Sequence, residues 1–145
     1  MRTHRPNPIV SLVSRVVSPF IMMFALYVIF HGHYSPGGGF QGGTLIAAAL
    51  ILIRLAEGNE TAQLQFPRAW ATPLGSLGVL IYFGTGLAAV FMGGRFLDYS
   101  VLHLAHHATM SRSYGILLVE IGVGLAVTAI LVSIFDNLLE GKPDA

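Results

Sequence analysis

The chain has 145 residues, 54% of them hydrophobic and 10% charged, with a formal net charge of +1 and a mean hydropathy of +0.69. Soluble domains carry about 25% charged residues, so a soluble helical domain is a poor description, and a near-neutral chain without a basic, aromatic-interleaved stripe gives no sign of a nucleic-acid partner. The absence of cysteine excludes disulfides, thiolate zinc sites and cysteine-held iron–sulfur clusters within it.

In chain order, residues 1–8 are basic, carry two prolines and read as a frayed lead-in. Ile9, Leu12, Val13 and Val16 share one face at helical spacing. The first membrane span is expected over residues 12–30, kinked at Pro19, with Ser18-Pro19 alternatively an N-cap and its first-turn proline. Arg15 is expected to snorkel to the headgroups. Arg2 and Arg5 before an apolar run imitate a signal peptide, but His31-Gly32-His33 stands where a small-residue cleavage site would be needed, so the segment reads as a retained helix.

The next stretch, His31 to Gly43, is poor as helix or strand. Pro36 ends the arriving helix and pushes Ser35 toward an extended backbone. Gly37, Gly38 and Gly39 admit positive φ at little steric cost. Phe40 and Gln41 are the only side chains of any reach among these glycines, with Gly42 and Gly43 closing the run. Irregular backbone at the edge of the hydrocarbon must be buried in protein or line a wet cavity. Gly37, Gly39 and Gly42 match a dinucleotide fingerprint in spacing only, because that motif needs a strand before it and a soluble βαβ unit around it. His31 and His33 flank Gly32 where an imidazole can carry a proton near neutral pH. Their spacing fits histidines facing interfacial water equally well.

A second span is expected over 40–56, at the short end of the spanning range of about 17–25 residues. A re-entrant segment is the alternative. Arg54 near its end is expected to reach the interface, and Gly43 with Ala47 forms a small-xxx-small pair. Residues 57–71 read as a polar connection in which Trp70 is an interfacial anchor. The third span is expected over 74–92, with Gly84 and Ala88 as a second small pair. Residues 93–113 form a loop with His103, His106 and His107. On a helix, His103 and His107 would share a face and could bind zinc. No fourth ligand stands at a convincing position, although Asp98 is near, so no metal is assigned. Arg112 is expected to cap the next boundary or to pair with Asp98. The fourth span is expected over 114–135, with Gly122 and Ala126 as a third small pair, and 136–145 reads as a polar tail. No nucleophile–base arrangement is present, so the chain is read as neither an enzyme nor a cofactor binder.

Two features carry functional weight. The first is charge asymmetry: Arg2, Arg5, Arg15, Arg54, Arg68 and Lys142 lie on the side of the termini, Arg95 and Arg112 on the other. The bias predicts cytoplasmic termini and a glycine stretch near the outer face. The second is Glu120, about six residues or ~9 Å inside the expected span. A charge well inside the bilayer costs about 2.5–3.5 kcal/mol, and Ile116 to Val119 and Ile121 to Ala126 supply no polar neighbour. Glu120 is therefore expected to be protonated, or paired with a histidine, a lysine or a cation, unless it snorkels to the surface. Gly122 and Gly124 leave room for a close neighbour.

Ser18-Pro19-Phe20, His31-Gly32-His33, the run from Ser35 to Gly43 and Glu120-Ile121-Gly122-Val123 together resemble the MnhB/MrpB family, the B-type component of the Mrp multisubunit sodium/proton antiporter. The resemblance extends over most of the chain, and its specific part is the glycine-rich core. It implies an all-α integral membrane protein of four transmembrane helices, with a glycine-rich loop between the first and second. It also implies a non-catalytic subunit in a bacterial or archaeal cell membrane, with other antiporter subunits and lipid as neighbours and Na+ and H+ as the ions of the complex. The ion-route or interface candidates are Glu120, His31, His33, Pro36, Gly37, Gly38, Gly39, Phe40, Gln41, Gly42 and Gly43. Related subunits occur in membrane-bound hydrogenases, so the alternative is a membrane-arm subunit of an ion-translocating redox complex whose metal clusters belong to other chains. A chain with so few intramembrane charges is not expected to transport ions alone.

Overall fold

A computed structural model describes residues 7–32, 34, 37–104 and 107–140. His33, Pro36, His106, Arg2, Arg5 and Lys142 lie outside these residues. The architecture is all-α, with four helices long and apolar enough to cross a membrane.

Helix α1 spans Pro8–His31. It begins earlier than residue 12 because Asn7 caps it, its side-chain oxygen accepting from the Ile9 N–H at 3.0 Å, with Pro8 at the first turn. Ser18-Pro19 is thus interior to the helix and is no N-cap. Ser18 is buried and donates to the Ala49 carbonyl at 3.4 Å. Helix α2 spans Gly39–Glu57, a continuous length of ~28 Å, so the re-entrant alternative does not hold. It starts one residue before the expected 40, so the last five residues of the glycine-rich stretch, Gly39 to Gly43, are helical.

The polar connection folds into a short helix α3, Asn59–Gln65, and a 3-10 turn at Arg68–Trp70. Helix α4 is Ala71–Phe91. The next connection contains a 3-10 turn at Tyr99–Val101. Helix α5, Ala108–Glu140, is longer at both ends than the apolar run from 114 to 135.

The helices stand in the order α1–α2–α5–α4, each packed mainly on its neighbour in that row. Small residues permit the close approaches. A β-carbon on Gly43 would lie 2.6 Å from the Gly124 carbonyl oxygen, and one on Gly122 would lie 2.8 Å from that of Gly78. Thr128 adds a hydroxyl bond to the Gly43 carbonyl at 3.0 Å. The expected pairs around Gly43 and Gly122 are thus seams inside the chain. Gly84 has nothing within 4 Å of a built β-carbon, so it faces away from the row. Ala47, Leu50 and Val132 form the buried centre, while Phe20, Phe24, Leu80 and Phe91 are exposed. An apolar exterior of this extent is stable against lipid or other membrane chains.

These contacts set the register. Gly39 meets α5 at Glu120 and Gly43 meets it at Gly124, whereas Gly78 and Gly75 meet it at Gly122 and Ala129. Helix α2 therefore runs parallel to α5 and α4 antiparallel to both. The α1–α2 turn touches α5 twelve residues past its start, ~18 Å along the axis. It is recessed behind the α4–α5 end.

Candidate functional site

The recessed turn closes around Glu120. A β-carbon on Gly32 would lie 2.5 and 2.6 Å from the two carboxylate oxygens, and one on Gly38 would lie 3.1 Å from Oε1. A β-carbon on Gly39 would lie 2.9 Å from the Glu120 Cα. Oε2 is shielded from solvent. Gly38 also has φ 136°, a conformation that L side chains rarely adopt. The glycines at 32 and 39 have a different reason: they leave the space that the carboxylate and the α5 backbone occupy. Sequence reasoning singled out Glu120 and the glycine stretch separately, and the fold brings them into contact. With α5 starting at Ala108, Glu120 is deeper in its helix than the expected ~9 Å.

The other candidates in the turn are placed differently. Gly42 is buried against α1, where a β-carbon would lie 2.9 Å from the Ala25 carbonyl oxygen. Gly37 is half-buried and Gln41 exposed. Phe40 is exposed and directed away from the chain's own core. His31 is exposed, its Nδ1 within 3.1 Å of the Tyr27 carbonyl and its ring stacked on Tyr27 at 4.2 Å.

On the same side of the molecule, residues 93–104 fold over the ends of α4 and α5. The Phe96 ring lies on Gly86, where a β-carbon would fall 2.8 Å from Cδ2, and packs edge-on to Tyr82. The Tyr99 ring lies on Gly115 in the same way, 2.5 Å from a built β-carbon at Cδ1. Burial, then the neighbouring Tyr82 and the charge of Glu120, hold the Tyr99 phenol above its usual range. Asp98 caps the 3-10 turn, accepting from the Ser100 N–H at 3.2 Å and from the Ser100 hydroxyl. The hydroxyl bond, then the backbone bond, hold the Asp98 carboxyl below its ordinary value, with Arg112 and Arg95 adding charge. Asp98 is thus bonded to Ser100, and Arg112 acts on it through its charge.

His103 is not helical. Its φ is 45° and its Nδ1 lies 2.6 Å from the Val101 carbonyl. His107 precedes α5, so the two histidines do not share a helix face. Among the described residues no group of three His, Asp or Glu could hold a metal.

One expectation about the arginines is corrected. Arg54 does not snorkel. Its Nε donates to Asp136 Oδ1 at 2.7 Å and its Nη2 to Oδ2 at 3.3 Å and to the Phe66 carbonyl at 3.0 Å. The side chains are 0% and 1% exposed. Asp136 accordingly belongs to α5 and not to a polar tail, because a buried charge persists only when paired and hydrogen-bonded. Arg15, although exposed, is bidentate to Glu57 at the end of α2, with Nη2–Oε2 at 2.8 Å. Sequence reasoning missed the Arg54–Asp136 pair. Its trace was two opposite charges, each near the end of an apolar run.

One stripe of α5 thus carries Glu120 and Asp136 at its two ends, ~24 Å apart along the axis. Between them lie Gly124, Thr128, whose hydroxyl is committed to the Gly43 carbonyl, and Val132, packed on Ala47 and Leu50. Among the described residues, this seam is an apolar plug and not a polar passage.

A family model described as a domain related to the MnhB subunit of Na+/H+ antiporter matches residues 9–133. A putative antiporter subunit mnhB2 of Staphylococcus haemolyticus is 33% identical over 136 residues, covering 90% of this chain and 92% of that protein. A Na(+)/H(+) antiporter subunit of Alkalihalophilus pseudofirmus is 31% identical over 123 residues, covering 79% and 85%. An uncharacterized protein of Methanocaldococcus jannaschii is 39% identical over 91 residues, 63% of this chain, which spans only 34% of that longer relative.

Proposed function

The chain belongs to the MnhB family, and we propose that it works as a non-catalytic membrane subunit of a multisubunit sodium/proton antiporter. The observation that carries a role for this chain in the ion route is the Glu120 carboxylate enclosed by the glycine turn. A carboxylate inside a membrane helix is costly wherever it has no purpose, and here Gly32, Gly38 and Gly39 are shaped to receive it. The apolar plug between Glu120 and Asp136 supports a shared route: ions cross at a boundary with a neighbouring subunit, not through this chain alone. The exposed apolar faces, with Tyr34 in the turn and Phe40 beside it, supply that boundary. No observation favours the redox-complex alternative.

The chain sits in a bacterial or archaeal cell membrane with the Arg54–Asp136 end cytoplasmic and the glycine turn toward the outer side. Arg15, Arg54 and Arg68 gather at the first end and Arg95 and Arg112 at the second, in accord with the positive-inside rule.

Glu120→Gln and Glu120→Ala in the intact complex test this reading. Loss of antiport in both, with the complex intact on a native gel, is the expected result for a charge role. Tolerance of Gln with loss of the complex in Ala would assign Glu120 to assembly. Parental exchange by both variants from neutral to alkaline pH would remove Glu120 from the site.

A further inference from the structure

Two hollows on one face of the helix row adjoin, because Ile46 and Leu50 line both. The first, about 540 Å³, lies where α1 carries Arg15 and α3 carries Gln65. The second, about 310 Å³, lies further along, between Leu26 and Phe30 of α1 and Ile121 and Leu125 of α5. Helical spacing joins them into one cleft. Arg15, Pro19, Met22, Leu26 and Phe30 recur at intervals of three and four on a single stripe of α1, and Ile46, Leu50 and Ile53 do the same on α2.

The chemistry of the cleft changes along its length. The far part is apolar, and the Thr128 hydroxyl within it is committed to the Gly43 carbonyl. The near part has a cationic mouth. The Arg15 side chain is 63% exposed, and Glu57, at 3%, accepts only from its Nε and Nη2. Glu57 does not line the cleft, whereas Arg15 and the exposed Gln65 do. Among the described residues, neither Arg15 Nη1 nor the Gln65 amide has a hydrogen-bond partner.

We propose that the cleft holds an anionic phospholipid, its phosphate on Arg15 and Gln65 and one acyl chain along the α1–α2 stripes. Charge and shape together choose this occupant. The arginine fork is suited to phosphate, and basic pockets between membrane helices take lipid headgroups. Arg15 and Leu26 are eleven residues apart, ~16 Å along α1, which matches the ~15 Å depth of one leaflet. The far hollow follows α5 from Ile121 to Ala129, ~12 Å. A helix about 10 Å across would fill ~900 Å³ over that length, roughly three times the 310 Å³ present. A flexible hydrocarbon chain enters where the body of a neighbouring helix does not fit. The site depends neither on Glu120 nor on the ions exchanged.

Photolabelling tests the proposal. The intact complex is reconstituted into vesicles containing phosphatidylglycerol with a diazirine midway along one acyl chain, irradiated, and mapped by mass spectrometry. Label is expected at Met22, Leu26 and Ile46 in excess of that at Phe24, which is exposed on another face of α1. Diacylglycerol with the same diazirine lacks the phosphate, and its label in the cleft is expected to be about fivefold lower. The double variant Arg15→Gln with Glu57→Gln removes the cation without stranding a carboxylate. It should lower the phosphatidylglycerol label by a similar factor, with the complex unchanged on a native gel. The comparison of the two lipids needs no variant and serves as the test if the double variant fails to assemble. Equal label from both lipids, or no excess over Phe24, would make the cleft part of the ordinary lipid shell and overturn the proposal. No cleft label from either lipid would make it a seam filled by a neighbouring chain, which overturns it too. Unchanged label in an assembled double variant would overturn the role of Arg15.

Discussion

Glu120 and its glycines illustrate how one residue type answers two different constraints. Gly38 is required by its backbone, at φ 136°, whereas Gly32 and Gly39 are required by the volume Glu120 occupies. Gly39→Ala puts a methyl against the α5 backbone, which cannot retreat as a side-chain tip can. Overpacking of this kind costs about 1–3 kcal/mol, so the detergent-solubilised complex should melt earlier and lose antiport. Parental melting of Gly39→Ala would show that α2 and α5 have room to spare at this contact. Phe40→Ala is the contrasting case. The ring is 66% exposed, so its removal leaves this chain's packing intact, and reduced antiport with normal membrane content is the expected sign of a contact with a neighbouring subunit.

At the scale of elements, ion pairs tie the ends of helices together with unequal weight. Arg54–Asp136 is closed off from solvent and also holds the Phe66 carbonyl, joining α2, α5 and the segment after α3. Removing one partner of a buried pair strands the other, at a cost of about 3–5 kcal/mol. Asp136→Ala should therefore lower the melting temperature of the complex well beyond the effect of Glu57→Ala, which leaves behind an arginine whose side chain is 63% exposed and open to solvation. Equal effects would contradict this assignment of the burial.

The connection between α4 and α5 has a pH dependence of its own. The carboxyl of Asp98 titrates below its ordinary value, so the contribution of its cap is present above the unfolded aspartate range and is lost as pH falls through the depressed value. Protection of residues 96–104 against hydrogen exchange, taken relative to each amide's intrinsic rate at that pH, should hold at neutral and alkaline pH and fall only in acid. Ser100→Ala removes the largest cause of the depression and should move that loss of protection to higher pH.

The whole molecule is a row of four helices with both faces apolar, an arrangement that makes sense within a larger membrane assembly. Its orientation is open to direct test because the chain has no native cysteine. Leu64, 85% exposed after α2, and Leu104, 48% exposed beyond α4, lie on opposite ends of the row. Cysteine at 64 should be labelled from the cytoplasmic side and cysteine at 104 from outside. The reverse pattern would invert the topology and place the glycine turn and Glu120 on the inner side.

The sequence by itself determined the class, the spanning helices and the two stretches from which the candidate site is built. Hydropathy and helical periodicity are local, and they are readable over any twenty residues around Met22, Leu50, Leu80 or Leu125. The family resemblance rested on the same local run of glycines. Where the helices begin was less legible. Asn7 starts α1 four residues before the expected 12, and α5 begins at Ala108, six before the expected 114. Gly39, Gly42 and Gly43, poor helix formers, open α2 within one residue of the expected 40 because their bareness lets α2 lie against α1 and α5, and that packing outweighs an unfavourable propensity. Only the tertiary structure decided that Glu120 sits under Gly32 and Gly38, that Arg54 finds Asp136 and that Tyr99 covers Gly115. The partners of the first two pairings lie more than eighty residues apart, so no spacing along the chain announces them. Their meeting depends on the register in which α2 and α4 slide along α5, and that register is set by which small residues face one another across each seam.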